Sequence, residues 1–483
     1  MLFQSLPFLI FFTGFFIIYW SFQANITIRN LLIFGASMFI YSLWDFRFTF
    51  LLLFVTAVNY FPGRYSSNKN IKGKIVFYIC LILNLVPLMF FKYYNFFAES
   101  LSGFFYALGF DFNITTLQLL LPVGISFYTF LSVSYLIDVY KKQLEPEKNF
   151  LNYAVSVSYF PIIMSGPIHR PRLLLKQLEK KFDFNYDLAV EGLRQILTGL
   201  FYKVVIADSI ARYADRAFAG YKDLDGLSLL LGSVYFSFQL YFDFNGYSEM
   251  AIGVSKLLGI KIERNFRFPY LSRTIADFWK RWHISLTEWF RDYIFLPLSY
   301  IVSRKVKPGS VLDKNLFIYT VGIAVTWSLT GFWHGAGWAF ILWGMVHAVL
   351  LVLNKGFFKK KKKILKKLGI KKDNIAFSVY ESLLTFFLVN LSFIFFRSGS
   401  AGVSFNIIGK ILNISSWQMP SLPVLPLFIG IFVIGLEYIQ KDREFLLEIS
   451  GYKAYLRWPA YVVLTMLVLY FSGNDSAFIY MGF

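Results

Sequence analysis

Twelve apolar stretches run through this 483-residue chain, and no water-soluble fold of that length has an interior large enough to hide them all. They lie near residues 6–20, 30–44, 48–62, 74–91, 117–140, 188–210, 227–250, 316–333, 336–355, 376–396, 422–440 and 457–472. A helix needs about 20 residues to cross a hydrocarbon core of ~30 Å, and several of these stretches are shorter. Their Phe, Tyr and Trp content fits local thinning of the bilayer and anchoring at its surface. Charged residues make up 16% of the chain, where soluble domains carry about 25%. The solvent must therefore be lipid. The expected fold class is an all-α polytopic membrane protein with about 12 transmembrane helices, plus re-entrant and interfacial helices around an internal chamber. Met1-Leu-Phe-Gln-Ser-Leu-Pro has no basic leader and no cleavage site follows, so the first span is expected to be retained. The single cysteine, Cys80, permits neither an internal disulfide nor a multi-cysteine metal cluster.

The net charge of +20 would suggest a nucleic-acid partner in a soluble protein. In a membrane protein it fits the enrichment of Lys and Arg in cytoplasmic loops, and no nucleic acid is expected. Arg64, Lys69, Lys72 and Lys74 follow the third stretch, and Lys141, Lys142 and Lys148 follow the fifth. Eleven Lys or Arg occur from Lys256 to Lys307, and Lys359 to Lys363 is unbroken, continued by Lys366, Lys367, Lys371 and Lys372. All of these fall on the cytoplasmic side if both termini are extracytoplasmic, which places the protein in the cytoplasmic (inner) membrane. Residues 94–110 would break that parity and are expected along the interface. Residues 151–168 have basic residues on both sides and contain Phe160-Pro161 and Ser165-Gly166-Pro167. They read as a re-entrant loop, tolerated only where protein or a cavity shields its backbone. No internal repeat suggests a transporter built from two related halves.

Polar residues inside apolar runs are costly and usually face a cavity or a partner. Asp138 has Lys141 and Lys142 close by, which favours an ion pair; Asp243, with Asn245 and Glu249, is as readily a chamber lining. Only four histidines occur. His169, in Pro167-Ile-His-Arg-Pro171, suits a surface position. His283 lies among Trp279, Trp282 and Trp289, whose spacings allow one helical face, so an interfacial amphipathic helix is the plain alternative to a functional site. His334 lies in Gly331-Phe-Trp-His-Gly-Ala-Gly337, whose glycines allow close approach of a ligand or another backbone. His347 follows in the next span. A neutral imidazole in an apolar site is a natural general base for a hydroxyl, and a packed structural histidine is the alternative. No metal-binding histidine pattern, nucleotide-binding loop or nucleophile elbow is present.

Several ordered blocks resemble the membrane-bound O-acyltransferases, and within them the bacterial branch that contains the alginate O-acetyltransferase membrane subunit. The blocks are Tyr241-Phe-Asp-Phe-Asn-Gly-Tyr-Ser-Glu249, Asn265-Phe-Arg-Phe-Pro-Tyr270, Phe278-Trp-Lys-Arg-Trp-His-Ile-Ser-Leu286, Trp289-Phe-Arg-Asp-Tyr293, Gly331-Phe-Trp-His-Gly-Ala336 and Leu342-Trp-Gly-Met-Val-His347. Ser165-Gly-Pro167 and Tyr135-Leu-Ile-Asp-Val-Tyr140 also match. Ser299 and Tyr300 stand where members often have Gly-Gly. The resemblance implies one integral-membrane domain over 1–483: N-terminal spans in 1–116, a catalytic core in 117–355, a basic cytoplasmic loop in 356–375 and C-terminal spans in 376–483. It implies catalytic roles for His334 and His283, with His334 the catalytic histidine proper. Asp243, Asn245, Trp279, Trp282, Trp333, His347 and Asp138 are candidates to line the substrate tunnel, and Lys280, Arg281 and Arg291 to meet donor phosphates.

On this reading, His283 sits on the cytoplasmic side and His334 toward the outer half of the bilayer, with a channel between. The expected activity is transfer of an acetyl group from a cytoplasmic donor, with acetyl-CoA as the expected co-substrate and no bound cofactor or metal, to an extracytoplasmic polysaccharide or cell-wall glycan. Membrane lipid and a separate extracytoplasmic acetylesterase-like protein are the expected partners. The rivals are D-alanyl transfer to teichoic acid from an acyl carrier protein and, in another class, a transporter or flippase.

Overall fold

A computed structural model describes residues 3–67, 70–307, 313–367, 369, 371 and 374–473; Lys69 and Lys372 of the basic clusters lie outside these described residues. Every regular element among them is helical. Among the described residues, seven helices are long and apolar enough to cross a membrane: Phe46–Ser67, Ile71–Ala107, Gly226–Leu257, Lys314–His334, Trp338–Phe358, Ile375–Ser398 and Ala454–Phe471. Six shorter apolar helices accompany them. The protein is an all-α, multi-pass membrane protein. The chain divides into two compact units, Met1–Ile196 with Tyr247–Glu263, and Leu197–Gly246 with Arg264–Phe483.

The first unit contains α1 (Leu6–Ser21), α2 (Ile26–Ser42), α3 (Phe46–Tyr60), α4 (Ile71–Leu88), α5 (Tyr94–Ala107), α6 (Ile125–Tyr140), α7 (Phe150–Ser158), α8 (Phe160–Ile163), α9 (Pro171–Leu178) and most of α10 (Tyr186–Leu200). In α1, Phe8, Phe12, Phe15 and Tyr19 recur at helical spacing and form one buried face with Phe160, Val254 and Leu258. The Tyr19 hydroxyl donates to the Leu258 carbonyl at 2.7 Å, so the buried ring also satisfies its polar end. Arg29 is fully buried, its guanidinium donating to the carbonyls of Leu178 (2.8 Å) and Lys180 (2.6 Å) beyond α9. A cation there complements the carbonyl end of the helix.

The expected re-entrant segment is a broken helix: α7 ends at Ser158, Tyr159 adopts a non-helical conformation, and α8 lasts one turn. The Phe160 N–H freed by the break donates to the Ser37 hydroxyl at 3.1 Å, so non-helical backbone is satisfied by protein. His169, expected at the surface, is buried just beyond this break. One further expectation changes. The 117–140 stretch is helical only from Ile125, because Pro122 and Gly124 (φ 72°) hold the preceding backbone out of the helix. Residues 94–107 continue α4 through a π-helical turn at Met89–Tyr93, giving one helical path from Ile71 to Ala107.

The second unit contains α11 (Asp208–Ala219), most of α12 (Gly226–Leu257), α13 (Ile275–Phe278), α14 (Ile284–Phe290), α15 (Leu296–Lys305), α16 (Lys314–His334), α17 (Trp338–Lys367), α18 (Ile375–Ser398), α19 (Ala401–Leu412), α20 (Leu425–Ile439) and α21 (Ala454–Phe471). A π-helical segment, Phe201–Ala207, leads from α10 into α11. The apolar helix α19 has no counterpart among the twelve stretches. Its 12 residues fall short of a span, which is why a length criterion passes over it.

Candidate functional site

The site begins with the α16–α17 hairpin. A Cβ on Gly331 would meet the Phe340 carbonyl oxygen at 2.2 Å, and one on Gly344 would meet the Trp327 carbonyl oxygen at 2.1 Å. Those glycines admit the backbone of the neighbouring helix, as in other close membrane helix pairs. The close packing places His334, the last residue of α16, among aromatic rings: Trp333 at 4.8 Å, Trp343 at 5.1 Å and Phe396 at 5.2 Å between centroids. His334 is 4% exposed.

The second histidine arrives by a different route. Residues 275–290 do not form the single amphipathic helix that their spacing allows. α13 lasts four residues, and the chain then turns through His283 in the left-handed region (φ 44°, ψ 52°) before α14 begins. Among the described residues only Lys142, Phe268 and His283 have positive φ without being glycine, and such a conformation costs about 1–3 kcal/mol. Surrounding hydrogen bonds hold it. The Ile284 N–H donates to the Asn265 carbonyl (2.9 Å), and the Arg267 N–H to the Arg281 carbonyl (3.0 Å). The Asn265 side-chain oxygen lies 3.2 Å from His283 Nδ1 and accepts from the Ser285 hydroxyl at 2.6 Å. His283 is fully buried, with Phe244 edge-on at 4.7 Å, and burial pushes its imidazole down to about 3.

The rings of His283 and His334 are 6.4 Å apart between centroids. Sequence reasoning put them at opposite ends of a channel; instead they share one site. The segment from Asn265 to Phe290 folds into the protein, burying Phe266, Phe278, Trp279, Trp282, His283 and Trp289, where an interfacial helix would expose half of them.

The other candidates fall into groups. Trp333 borders both histidines, 6.2 Å from the His283 ring. Trp282 packs in a cluster with Phe266, Phe278 and Tyr241. Trp279 packs at a tilt against Trp327, 4.2 Å between centroids, and its indole N–H donates to His347 Nδ1 at 3.2 Å. His347 Nε2 lies 2.9 Å from the Ser392 hydroxyl, which itself donates to the Val389 carbonyl. An indole can only donate, so His347 carries its hydrogen on Nε2 and ties α17 to α18 with both nitrogens engaged. Asp243 is paired with Lys203 at 2.9 Å, and Lys203 also reaches Asp208 at 2.8 Å, a buried triad. The Asn245 amide donates to the Tyr241 hydroxyl at 3.3 Å. Asp138 belongs to the first unit, where it is buried in α6, while Lys141 and Lys142 beside it are exposed.

The three cations separate likewise. Arg291 pairs with Asp292 (2.7 Å) and Glu288 (3.8 Å). Lys280 and Arg281 instead line a cavity of about 1140 Å³, together with Arg267, Arg273 and Lys441. Its apolar wall comes from α18 (Val379, Leu383, Phe386) and α20 (Leu427, Ile431, Ile434). Asp442 and Asp277, the latter paired with Arg281 at 3.0 Å, offset part of the charge.

Two residues that shape this region are passed over by the sequence reading. Asn265 lies inside a quoted block but carries no signal of its own until the fold brings it to His283. Glu437 is a lone carboxylate in the 422–440 stretch, the same signal that marks Asp138; it is fully buried and accepts from the hydroxyls of Tyr202 (3.0 Å) and Tyr241 (2.8 Å).

Residues 146–395, which contain both histidines of the pair, match the membrane-bound O-acyltransferase family, MBOAT. The chain is 35% identical over 397 residues to a probable alginate O-acetylase of Pseudomonas syringae pv. tomato, an alignment covering 82% of this chain and 72% of that protein. It is 32% identical over 415 residues to a peptidoglycan O-acetyltransferase of Helicobacter pylori, covering 80% and 74%. A teichoic acid D-alanyltransferase of Bacillus subtilis is 33% identical over 243 residues, covering 50% and 60%. A polytopic helical chain with two buried histidines facing one aromatic site, matched across more than half its length, belongs to the membrane-bound O-acyltransferase family and is an acyltransferase.

Proposed function

We propose that the protein is an O-acetyltransferase of the cytoplasmic membrane that moves the acetyl group of acetyl-CoA outward for O-acetylation of an extracytoplasmic glycan. The observation that carries this reading is the 6.4 Å pairing of His283 with His334 inside an aromatic shell. Two imidazoles that close can act on one reacting centre, and the surrounding rings exclude water that would hydrolyse a thioester there. His334 takes the proton of the attacking hydroxyl as its oxygen adds to the acetyl carbonyl. The C–S bond then breaks, and the proton passes to the departing CoA sulfur, leaving an acetyl ester and free thiol. His283 orients the donor or lines its path. The basic cavity lined by Lys280 suits a donor that carries phosphates, whereas Arg281 and Arg291 both have carboxylate partners. The relatives named as alginate and peptidoglycan acetylating enzymes support a glycan acceptor, reached through a separate acetylesterase-like protein outside the membrane.

The test is transfer of radiolabel from acetyl-CoA to extracytoplasmic glycan in membranes containing the protein and its partner, comparing the intact chain with His334→Ala. A positioned general base contributes about 10²–10⁴-fold, so the variant should lose at least 10²-fold at unchanged abundance and thermal stability. No transfer by the intact chain from acetyl-CoA, with transfer of D-alanine from a charged carrier protein, would replace this reading with the teichoic-acid one.

A further inference from the structure

One residue brackets His283 on three consecutive positions. Asn265 is fully buried and lies 18 residues earlier in the chain. Its side-chain oxygen faces Nδ1 of His283 at 3.2 Å, the same oxygen accepts from the hydroxyl of Ser285, and its backbone carbonyl accepts from the N–H of Ile284. An amide oxygen has only lone pairs to offer, so the ring nitrogen facing it must bring the hydrogen. In a neutral imidazole the other nitrogen then has none.

We propose that Asn265 is a positioning residue that fixes His283 as the Nδ1–H tautomer, making Nε2 a hydrogen-bond acceptor. The proposal rests on reading the His283–His334 pair as the acyl-transfer site, and it narrows what His283 does there. A ring locked this way takes a hydrogen bond from a hydroxyl or amide N–H of a substrate. It does not donate to the acetyl carbonyl oxygen. Polarising that oxygen falls to other groups, and His283 holds hydrogen-bearing parts of the reactants in place.

The experiment uses the full-length protein with its histidines ¹⁵N-labelled, in detergent at about pH 7.5. Four histidines give a spectrum simple enough to assign, and His283 is identified by the signals lost in His283→Gln. The expected result is a His283 with protonated Nδ1 and bare Nε2. Asn265→Asp keeps an acceptor oxygen and should keep that pattern, with acetyl transfer within a few-fold of the intact chain. Asn265→Leu should move His283 toward the Nε2–H form, with turnover down roughly 10–100-fold, the size seen when orienting partners of functional histidines are removed. KM for acetyl-CoA should change by less than about 3-fold in both. An Nε2–H signal for His283 in the intact chain overturns the proposal even if Asn265→Leu fails to fold, and so does a folded, fully active Asn265→Leu. The spectrum needs no turnover. Absence of acetyl transfer by the intact chain would therefore count against the acetylation reading alone.

Discussion

At the scale of single residues, the site is defined by what burial does to imidazoles. An ordinary histidine titrates near 6.5, whereas His283 is held neutral down to about 3 by its apolar surroundings. Between those values an unfolded chain takes up a proton that the folded one refuses. Stability therefore falls as pH drops through that window and is unaffected by this group above about pH 7. His283→Gln should accordingly lose less thermal stability between about pH 7 and pH 5 than the intact protein, measured by unfolding in detergent at each pH. Equal acid sensitivity in the two proteins would mean that His283 is not held neutral. His283 and His334 were legible in the sequence from scarcity and from the Trp-rich blocks around them. Their proximity was not, because a left-handed turn at a histidine leaves no mark in residue spacing; the Trp279–Trp282–His283–Trp289 pattern reads as a helix until φ at His283 breaks it. Asn265 escaped for a related reason, since its meaning depends wholly on that turn.

At the scale of elements, apolar runs gave the helices reliably and their ends less so. All twelve stretches contain helix, yet α6 starts eight residues after its apolar run begins, where a proline and a positive-φ glycine outweigh hydrophobicity. The α16–α17 hairpin is the element pair that matters most to the site. Its glycines read from sequence as room for a ligand or a backbone, and the geometry shows the backbone. A single methyl at Gly344 would sit 2.1 Å from the Trp327 carbonyl oxygen. Relieving that clash means moving helices apart, and overpacking of this kind costs about 1–3 kcal/mol. Gly344→Ala should lower thermal stability and, by shifting Trp343 against His334, reduce acyl transfer as well. Gly356→Ala, where a Cβ meets nothing within 4 Å, serves as the control and should be neutral on both counts. A fully stable and active Gly344→Ala would show that the hairpin packs less closely than described.

At the scale of the whole molecule, the distribution of charge sets orientation. Lys360 to Lys363 extend α17 beyond its apolar part, and the loop carrying Ser415 separates α19 from α20. If the basic segments are cytoplasmic, Lys362 and Ser415 lie on opposite faces. Both are exposed, and the native thiol, Cys80, is buried, so single cysteines introduced at either place report cleanly. Ser415→Cys should react with a membrane-impermeant maleimide on intact spheroplasts, and Lys362→Cys only after the membrane is opened. The reverse pattern would invert the topology and put the basic cavity on the wrong side for a cytoplasmic donor.

The segment from Asn265 to Ile284 is tied to itself at both ends, by Ile284 N–H to the Asn265 carbonyl and by Arg267 N–H to the Arg281 carbonyl. In the language of affinity, this is a loop whose ordering cost has been met before any substrate arrives. Flexible loops that must settle around a ligand weaken binding by the entropy they lose, and a loop already knotted loses little. If substrates meet His283 as proposed, they encounter a surface that keeps its shape, and discrimination among acyl groups then rests on fit to a fixed wall.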